Sequence, residues 1–408
     1  MTPALPPSFR LDGHCLHLDP HDDVFVQDPY AAYRHLHRHA PVFFWEDYGL
    51  WCVAGHAQVN ALLRDRRLGR ENRWGPPMAC GPERAHLAAF DAVERHSLLE
   101  REPPVHTRLR ALVNKAFVSR QVERLRPAIR ALAAELADGL QPGDDIIEHF
   151  ATPVPVAVIA DMLGVPRAMG PQLVSWSHRM VAMYMHGRTR ADEDSANAAA
   201  VEFSAYLRGL IAGRRAGEGD DLISVLMAAR DHGNKLSEDE LVTSVILLLN
   251  AGHEATVHQM GNAIRTILAQ GGDPRRFFAT GAQAAETVEE CLRFDAPLHM
   301  FTRHAYEPVD IGPVTLQPGQ QVGLLLGAAN RDPAAFEAPD ALRPGRNDQK
   351  NVTFGAGIHF CIGAPLARLE LQEALAVLFH RHPDLRLAEP ARYRDAYHFH
   401  GLDRLVMG

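Results

Sequence analysis

Residues Phe354 to Glu370 read FGAGIHFCIGAPLARLE, and the rest of the chain is organised around them. The stretch holds one cysteine, Cys361, between a glycine-rich turn and an apolar, arginine-bearing segment that opens with Gly363, Ala364 and Pro365. Gly355 and Gly357 permit positive φ and close backbone approach, and a proline suits the first turn of a helix. The spacing predicts a turn and then a helix, with the Cys361 sulfur at the helix N-terminus. Unpaired N–H groups and the positive end of the helix dipole favour thiolate there, so Cys361 is a candidate ligand for a soft or borderline metal. An isolated cysteine is more often buried and inert. The residues around this one argue otherwise.

The string Phe354-Gly355-x-Gly357-x-His359-x-Cys361-x-Gly363 resembles the haem-binding loop of the cytochrome P-450 family of haem-thiolate monooxygenases. The resemblance implies a mainly α fold with small β-sheets, and haem b between a long central helix and the Cys-loop helix. It also implies Cys361 as axial ligand, His359 at a haem propionate, and Phe354 and Gly363 against the cofactor. A thiolate ligand pushes electron density to the iron and favours O–O cleavage, and amides around the sulfur tune that push.

Length and charge bound the reading. No Gly/Ser-rich or Pro-rich linker divides the 408 residues, so residues 1–408 are read as a single domain. A net charge of −8 with no basic tail gives no reason to expect nucleic acid as a partner. Five cysteines, Cys15, Cys52, Cys80, Cys291 and Cys361, in no metal-finger spacing suit a reducing cytoplasm. The first residues carry no basic-then-apolar signal, and the longest apolar run, near Val245 to Leu249, is far too short for a membrane span. The expectation is a soluble, cytoplasmic, monomeric protein.

Other segments fall into the same pattern. Glu102 to Phe117 starts with prolines and carries His106 and Arg110 four apart on one predicted helix face. In the family these positions bind a haem propionate, and a forked guanidinium suits a carboxylate. Glu290 and Arg293, three apart, match the family's Glu-x-x-Arg pair with Arg346 as third member. A surface pair of that kind would contribute about 1 kcal/mol or less. Arg303, in a predicted strand from Leu298, matches a second propionate ligand.

Ser237 to Leu268 is the longest helical pattern, opened by a Ser237/Glu240 capping box. At its centre lies Asn250-Ala251-Gly252-His253-Glu254-Ala255-Thr256. Glycine beside an acid and a hydroxyl predicts a local distortion. The segment resembles the family's oxygen-binding groove, with Gly252, Glu254, Ala255 and Thr256 as catalytic candidates. It departs from that pattern at Ala255, where a threonine is usual. Thr256 follows one place later, about 100° round the helix.

Candidate substrate-lining residues are Trp74 and Met78 in the Arg73 to Pro82 loop, and Met180, Met183 and Tyr184 in a Met-rich stretch from Leu173 to His186. Ala251, Leu298, Met300, and Phe399 and His400 of a C-terminal hairpin tip complete the set. Ile146 to Leu163 reads as one core helix. His35, His37 and His39 read as a solvated helix face.

The resemblance implies monooxygenation of an organic substrate with dioxygen and two electrons. Gly355-Ala356-Gly357 lacks the third glycine and the strand-to-helix context of a dinucleotide site, so no flavin is expected in this chain. Electrons are then expected from an iron–sulfur ferredoxin with a separate reductase, docking near Arg108, Lys115 and Arg120. A peroxide-driven haem peroxygenase and a non-catalytic haem ligand sensor are the alternatives.

Overall fold

Ser237 starts the spine of the molecule. Its hydroxyl accepts from the Glu240 amide, and the Glu240 carboxylate accepts from the Ser237 amide. The helix so capped runs unbroken over Glu238–Leu268. The computed structural model describes residues 4–74, 82–114, 122–214, 219, 221–229 and 235–408. Its helices include α1 (Tyr30–His39), α2 (Ala88–Glu94), α3 (Val105–Asn114), α4 (Arg126–Gly139) and α5 (Pro153–Leu163). They continue with α6 (Gly170–Val181), α7 (Arg190–Ala212), the spine α8 (Glu238–Leu268), α9 (Gly281–Phe294) and α10 (Ala364–Arg381).

The spine joins two apolar cores. Leu241, Val245 and Leu249 of α8 pack with α6, α7 and Ile159 of α5, whereas Val257, Met260 and Ile264 pack with α4, α9 and the distal half of α10. Helix α10 divides the same way, Leu366 and Leu369 to the first core and Leu375 and Leu378 to the second. Each buried side chain of this size contributes about 1.5–3 kcal/mol. The polar segment from Asn250 to Thr256 therefore falls at the seam between the cores.

The β region lies to one side. Strands β1 (Arg10–Asp12), β2 (Cys15–His17), β3 (Val42–Trp45), β4 (Leu50–Val53), β5 (Leu68–Gly69) and β6 (Met300–Ala305) belong to one sheet. Two short strands, β7 (Val309–Asp310) and β8 (Thr315–Leu316), pair apart, and β9 (Gln321–Leu325) returns to the main sheet. Its order is β1-β2-β3-β4-β9-β6-β5. A last pair, β10 (Arg392–Tyr393) and β11 (Leu402–Arg404), brackets the C-terminal hairpin.

Several local expectations are corrected. Ile146 to Leu163 is not one helix: a π-helical turn over Ile147–Ala151 precedes α5, which starts afresh at Pro153. The Met-rich stretch ends α6 at Val181 and tightens to a 3₁₀ turn over Ala182–Tyr184. No break marks α8 at Gly252. A Cβ there would lie 2.9 Å from Ile159 Cγ1, so this glycine is accounted for by the close approach of α5 and not by a distortion of α8. His37 leaves the solvated face, its Nε2 lying 3.2 Å from the Ala54 carbonyl.

Candidate active site

The Cys361 loop is closed by backbone bonds and by two glycines that no other residue could easily replace. The Cys361 amide donates to the Phe354 carbonyl at 3.0 Å and the Gly355 amide to the Val352 carbonyl at 2.8 Å. Gly355 and Gly357 have φ of +68° and +71°, and a Cβ on Gly357 would stand 2.6 Å from the Leu63 carbonyl. Gly363 and Pro365 then start α10. Burial pushes the Cys361 thiol up, against the opposing pull of the Gly363 amide, the Arg110 charge, the Ala364 amide and Arg368. That corrects the thiolate expected from the helix terminus alone. An incoming metal must displace the thiol proton.

Around the loop, cationic groups outnumber the carboxylates that pair with them. Arg70 is bonded to Glu100, and His359 Nε2 lies 2.8 Å from Glu102 Oε1, which also accepts from the Arg70 amide at 2.8 Å. The His106 ring sits 4.4 Å from that of His359, its Nε2 buried and, among the described residues, without a partner. Burial, then the charges of His359 and Arg110, pull His106 down to about 4, so it is neutral at pH 7. Arg303 is 3% exposed, and its side-chain hydrogen bond among the described residues is to the Thr302 carbonyl, 2.8 Å away. Burial lowers it to about 9. Arg110 donates to the Phe360 carbonyl at 2.6 Å. Among the described residues neither Arg110 nor Arg303 has a carboxylate in ion-pair contact, which leaves two guanidinium charges for a dicarboxylate such as haem b. His359, expected at a propionate, is committed to Glu102 instead.

On the spine, several residues of the central segment are not fully covered. Leu247, Asn250, Gly252 and Ala255 are half-buried and Ala251 is exposed, although Leu248, Leu249, His253 and Glu254 beside them are buried. Ala255, half-buried, carries only a methyl. Thr256 is buried and its hydroxyl lies 3.5 Å from the Gly252 carbonyl, a long contact back onto its own helix. Glu254 turns elsewhere: its Oε1 is 3.2 Å from His258 Nε2 and its Oε2 3.2 Å from His178 Nε2. Burial favours the acid form, but the contacts and charges of His178 and His258 outweigh it and hold Glu254 below the usual carboxylate range.

The lining candidates divide. Met180 and Met183 are buried, with Met180 Sδ 3.8 Å from Asn250 Nδ2, so α6 closes over the spine there. Leu298 bridges to Phe399 and both remain half-buried. Met300 is corrected: alternation along β6 sends Phe301 and Arg303 toward the Cys361 loop, and Met300 into the opposite cluster with Phe43 and Trp45. His400 is also corrected, because it stacks on Tyr393 at 3.8 Å with Nε2 3.3 Å from Asp295. Trp74 is 48% exposed and packs on Tyr306 and the Gly319 turn. Met78, Lys115 and Arg120 lie outside the described residues, and Arg108 is not free for docking, being bonded to Glu240. Glu290, Arg293 and Arg346 meet as predicted but are not a surface pair. Arg293 Nε and Nη2 each reach Glu290 at 2.8 Å and Arg346 Nε reaches it at 3.0 Å, Glu290 and Arg293 being buried and Arg346 partly so.

The model described as cytochrome P450 matches residues 284–383. Over 399 residues the chain is 37% identical to cytochrome P450 107B1 of Saccharopolyspora erythraea, covering 94% of this chain and 96% of that one. The chain belongs to the cytochrome P450 family. A second relative, 6-deoxyerythronolide B hydroxylase of the same organism, is 35% identical over 402 residues, with 95% and 97% of the two chains covered. The crystal structure of P450BioI in complex with a hexadec-9Z-enoic acid-ligated acyl carrier protein superposes with a TM-score of 0.86 at 34% identity, covering 94% of this chain and 99% of that one. This P450 is accordingly a haem-thiolate oxidoreductase with haem as its cofactor. Among the described residues no helix of the P450 is long and apolar enough to cross a membrane.

Sequence reasoning missed the buried Glu94 of this P450. Tyr184 donates to Glu94 at 3.1 Å, and burial, with the Glu100 charge, pushes Glu94 up to about 8 against the opposing Tyr184 bond and Arg70. Glu94 therefore holds a proton in the fold that it loses on unfolding above its ordinary 4.5. With more protons bound to the folded state, stability falls as pH rises from 4.5 to about 8, by up to about 1.4 kcal/mol per unit. Urea unfolding at pH 5, 6, 7 and 8 is expected to show that decline, and Glu94→Gln to flatten it. An unchanged decline in Glu94→Gln assigns it to other groups.

Proposed function

We propose that this P450 inserts one oxygen atom from dioxygen into a small to medium apolar organic substrate by hydroxylation, epoxidation or dealkylation. Electrons come from a separate iron–sulfur ferredoxin and its reductase, and residues 1–408 act as one cytoplasmic, monomeric catalytic domain. One observation carries the reading: Cys361, under the Gly363 and Ala364 amides, shares its surroundings with Arg110 and Arg303, which among the described residues make no ion pair with a carboxylate. The names of the relatives, a hydroxylase of 6-deoxyerythronolide B and a P450 crystallised with an acyl-loaded carrier protein, support an apolar organic substrate.

Haem bound at this loop supplies the oxygen-activating iron. Cys361 would supply the sulfur ligand to that iron, Phe354 and Gly363 would lie against the group, and Arg303, Arg110 and His106 would hold its carboxylates, with His359 fixing Glu102 behind them. Ala251, Leu298, Phe399, Met180, Met183 and Tyr184 line the substrate space and keep water from it. Protons reach Glu254 through His178, whose side chain is 51% exposed. Beyond Glu254 the usual hydroxyl is missing, since Ala255 carries a methyl and Thr256 is turned back toward the Gly252 carbonyl. A polar group of the substrate, with water, completes the relay.

Product formed per reduced cofactor consumed is therefore expected to fall several-fold for substrate analogues that lack a hydroxyl or carbonyl, and Ala255→Thr to restore part of it. Equal coupling across the analogues, with collapse only in Thr256→Val, makes Thr256 the relay instead. The same missing hydroxyl favours a second reading, peroxide-driven oxygenation. Turnover with hydrogen peroxide that exceeds turnover with dioxygen, ferredoxin and reductase would select it.

A further inference from the structure

Four groups around Glu254 are arranged for more than proton transfer. His253 Nδ1 lies 2.7 Å from the Leu249 carbonyl, a bond that requires Nδ1 to carry the proton and leaves a lone pair on Nε2. That Nε2 is buried, has no hydrogen-bond partner among the described residues and faces Glu254 Oε2, also without a well-formed hydrogen bond, at 3.8 Å. Two acceptors thus point at one another inside the protein. The third ligand is His178 of α6, its Nε2 3.2 Å from the same oxygen. All three ligand atoms lie within 4.8 Å of one another. Behind them, Arg394 Nη2 lies 3.2 Å from His258 Nδ1, which makes that nitrogen the acceptor and leaves Nε2–H to face Glu254 Oε1.

We infer that His178, His253 and Glu254 form a zinc site that ties α6 to the spine α8. Two imidazoles and a carboxylate, with water as fourth ligand, are a familiar tetrahedral set, in which neighbouring donors about 2.1 Å from the ion stand about 3.4 Å apart. The observed 3.2 and 3.8 Å lie on either side of that spacing. Outer partners that fix the tautomer of one ligand and orient another are also present, the Leu249 carbonyl behind His253 and the His258 N–H behind Glu254. His178, half exposed, gives the ion access from solvent. Zinc here would bind the carboxylate that the proposed relay needs, so turnover falls as the site fills. This last consequence rests on the reading of Glu254 above; the binding does not.

Calorimetric titration of the haem-loaded protein with zinc chloride, in chelator-free buffer, tests the site. One site is expected to stand apart from weaker surface binding, and to weaken at least tenfold in His178→Ala, an exposed position that folding tolerates, and in His253→Gln. Zinc-edge absorption should show nitrogen and oxygen donors near 2.0–2.1 Å and no sulfur. Equal affinity in wild type and His178→Ala, or a sulfur shell at about 2.3 Å from a cysteine such as Cys15, overturns the site. Turnover unchanged at zinc concentrations that calorimetry shows to be saturating overturns the inhibitory role alone.

Discussion

Replacing Cys361 by alanine is expected to abolish oxygenation and to remove the strongly red-shifted Soret band that thiolate ligation gives the ferrous carbon monoxide complex. The size of the effect follows from how little else near the loop can act as a soft ligand. Cys52 and Cys291 are buried in the apolar cores, and burial pushes both thiols well above their usual range, the charge of Glu290 adding to the shift at Cys291. The neighbouring imidazole of His359 is held by Glu102. A Cys361→Ala variant that keeps the red-shifted band would mean that another sulfur ligates the iron. Loss of the band with haem still bound is the expected result.

The second large effect is structural. Glu290 accepts from Arg293, from Arg346 and from the Arg343 amide, and the Arg293 guanidinium also donates to the carbonyls of Asn330, Pro339 and Ala341. This buried pair has its donors and acceptors matched, so removing one partner strands a charge among groups fixed to receive it. Breaking such a pair costs about 3–5 kcal/mol. That is a large share of the roughly 5–15 kcal/mol that holds a typical protein folded. Glu290→Ala is expected to lower the urea midpoint by that equivalent and to cut the yield of haem-loaded protein, and Arg293→Ala likewise. A loss below about 1 kcal/mol would return the pair to the class of solvated surface bridges.

What the sequence made legible was local. The glycines and proline around Cys361, the Ser237/Glu240 cap and the three-residue spacing of Glu290 and Arg293 act within a few residues, and each appears where its pattern put it. Distant partners were hidden. Nothing near His359 announces Glu102, which lies 257 residues away in sequence, and nothing near Glu254 announces His178. His258 was within reach, being one helical turn after Glu254 on the same face. Met300 failed for a different reason: a strand's two faces are exchanged by a single step of register, and only the sheet decides which face meets the cavity. The state of the Cys361 thiol depended on a contest between a helix terminus and burial, and burial depends on the whole fold.

The guanidinium of Arg303, without an ion-pair partner among the described residues, makes folding and cofactor capture parts of one equilibrium. Held in a buried place that lowers its affinity for its own proton, it is a standing cost that an arriving carboxylate relieves. Whatever free energy is released when that carboxylate settles is added to the stability of the folded chain by mass action. Chains made faster than haem is supplied then spend longer in the weaker form, which proteases degrade first. The lifetime of this enzyme in a cell, and with it the amount present, is set in part by cofactor supply and not by gene expression alone.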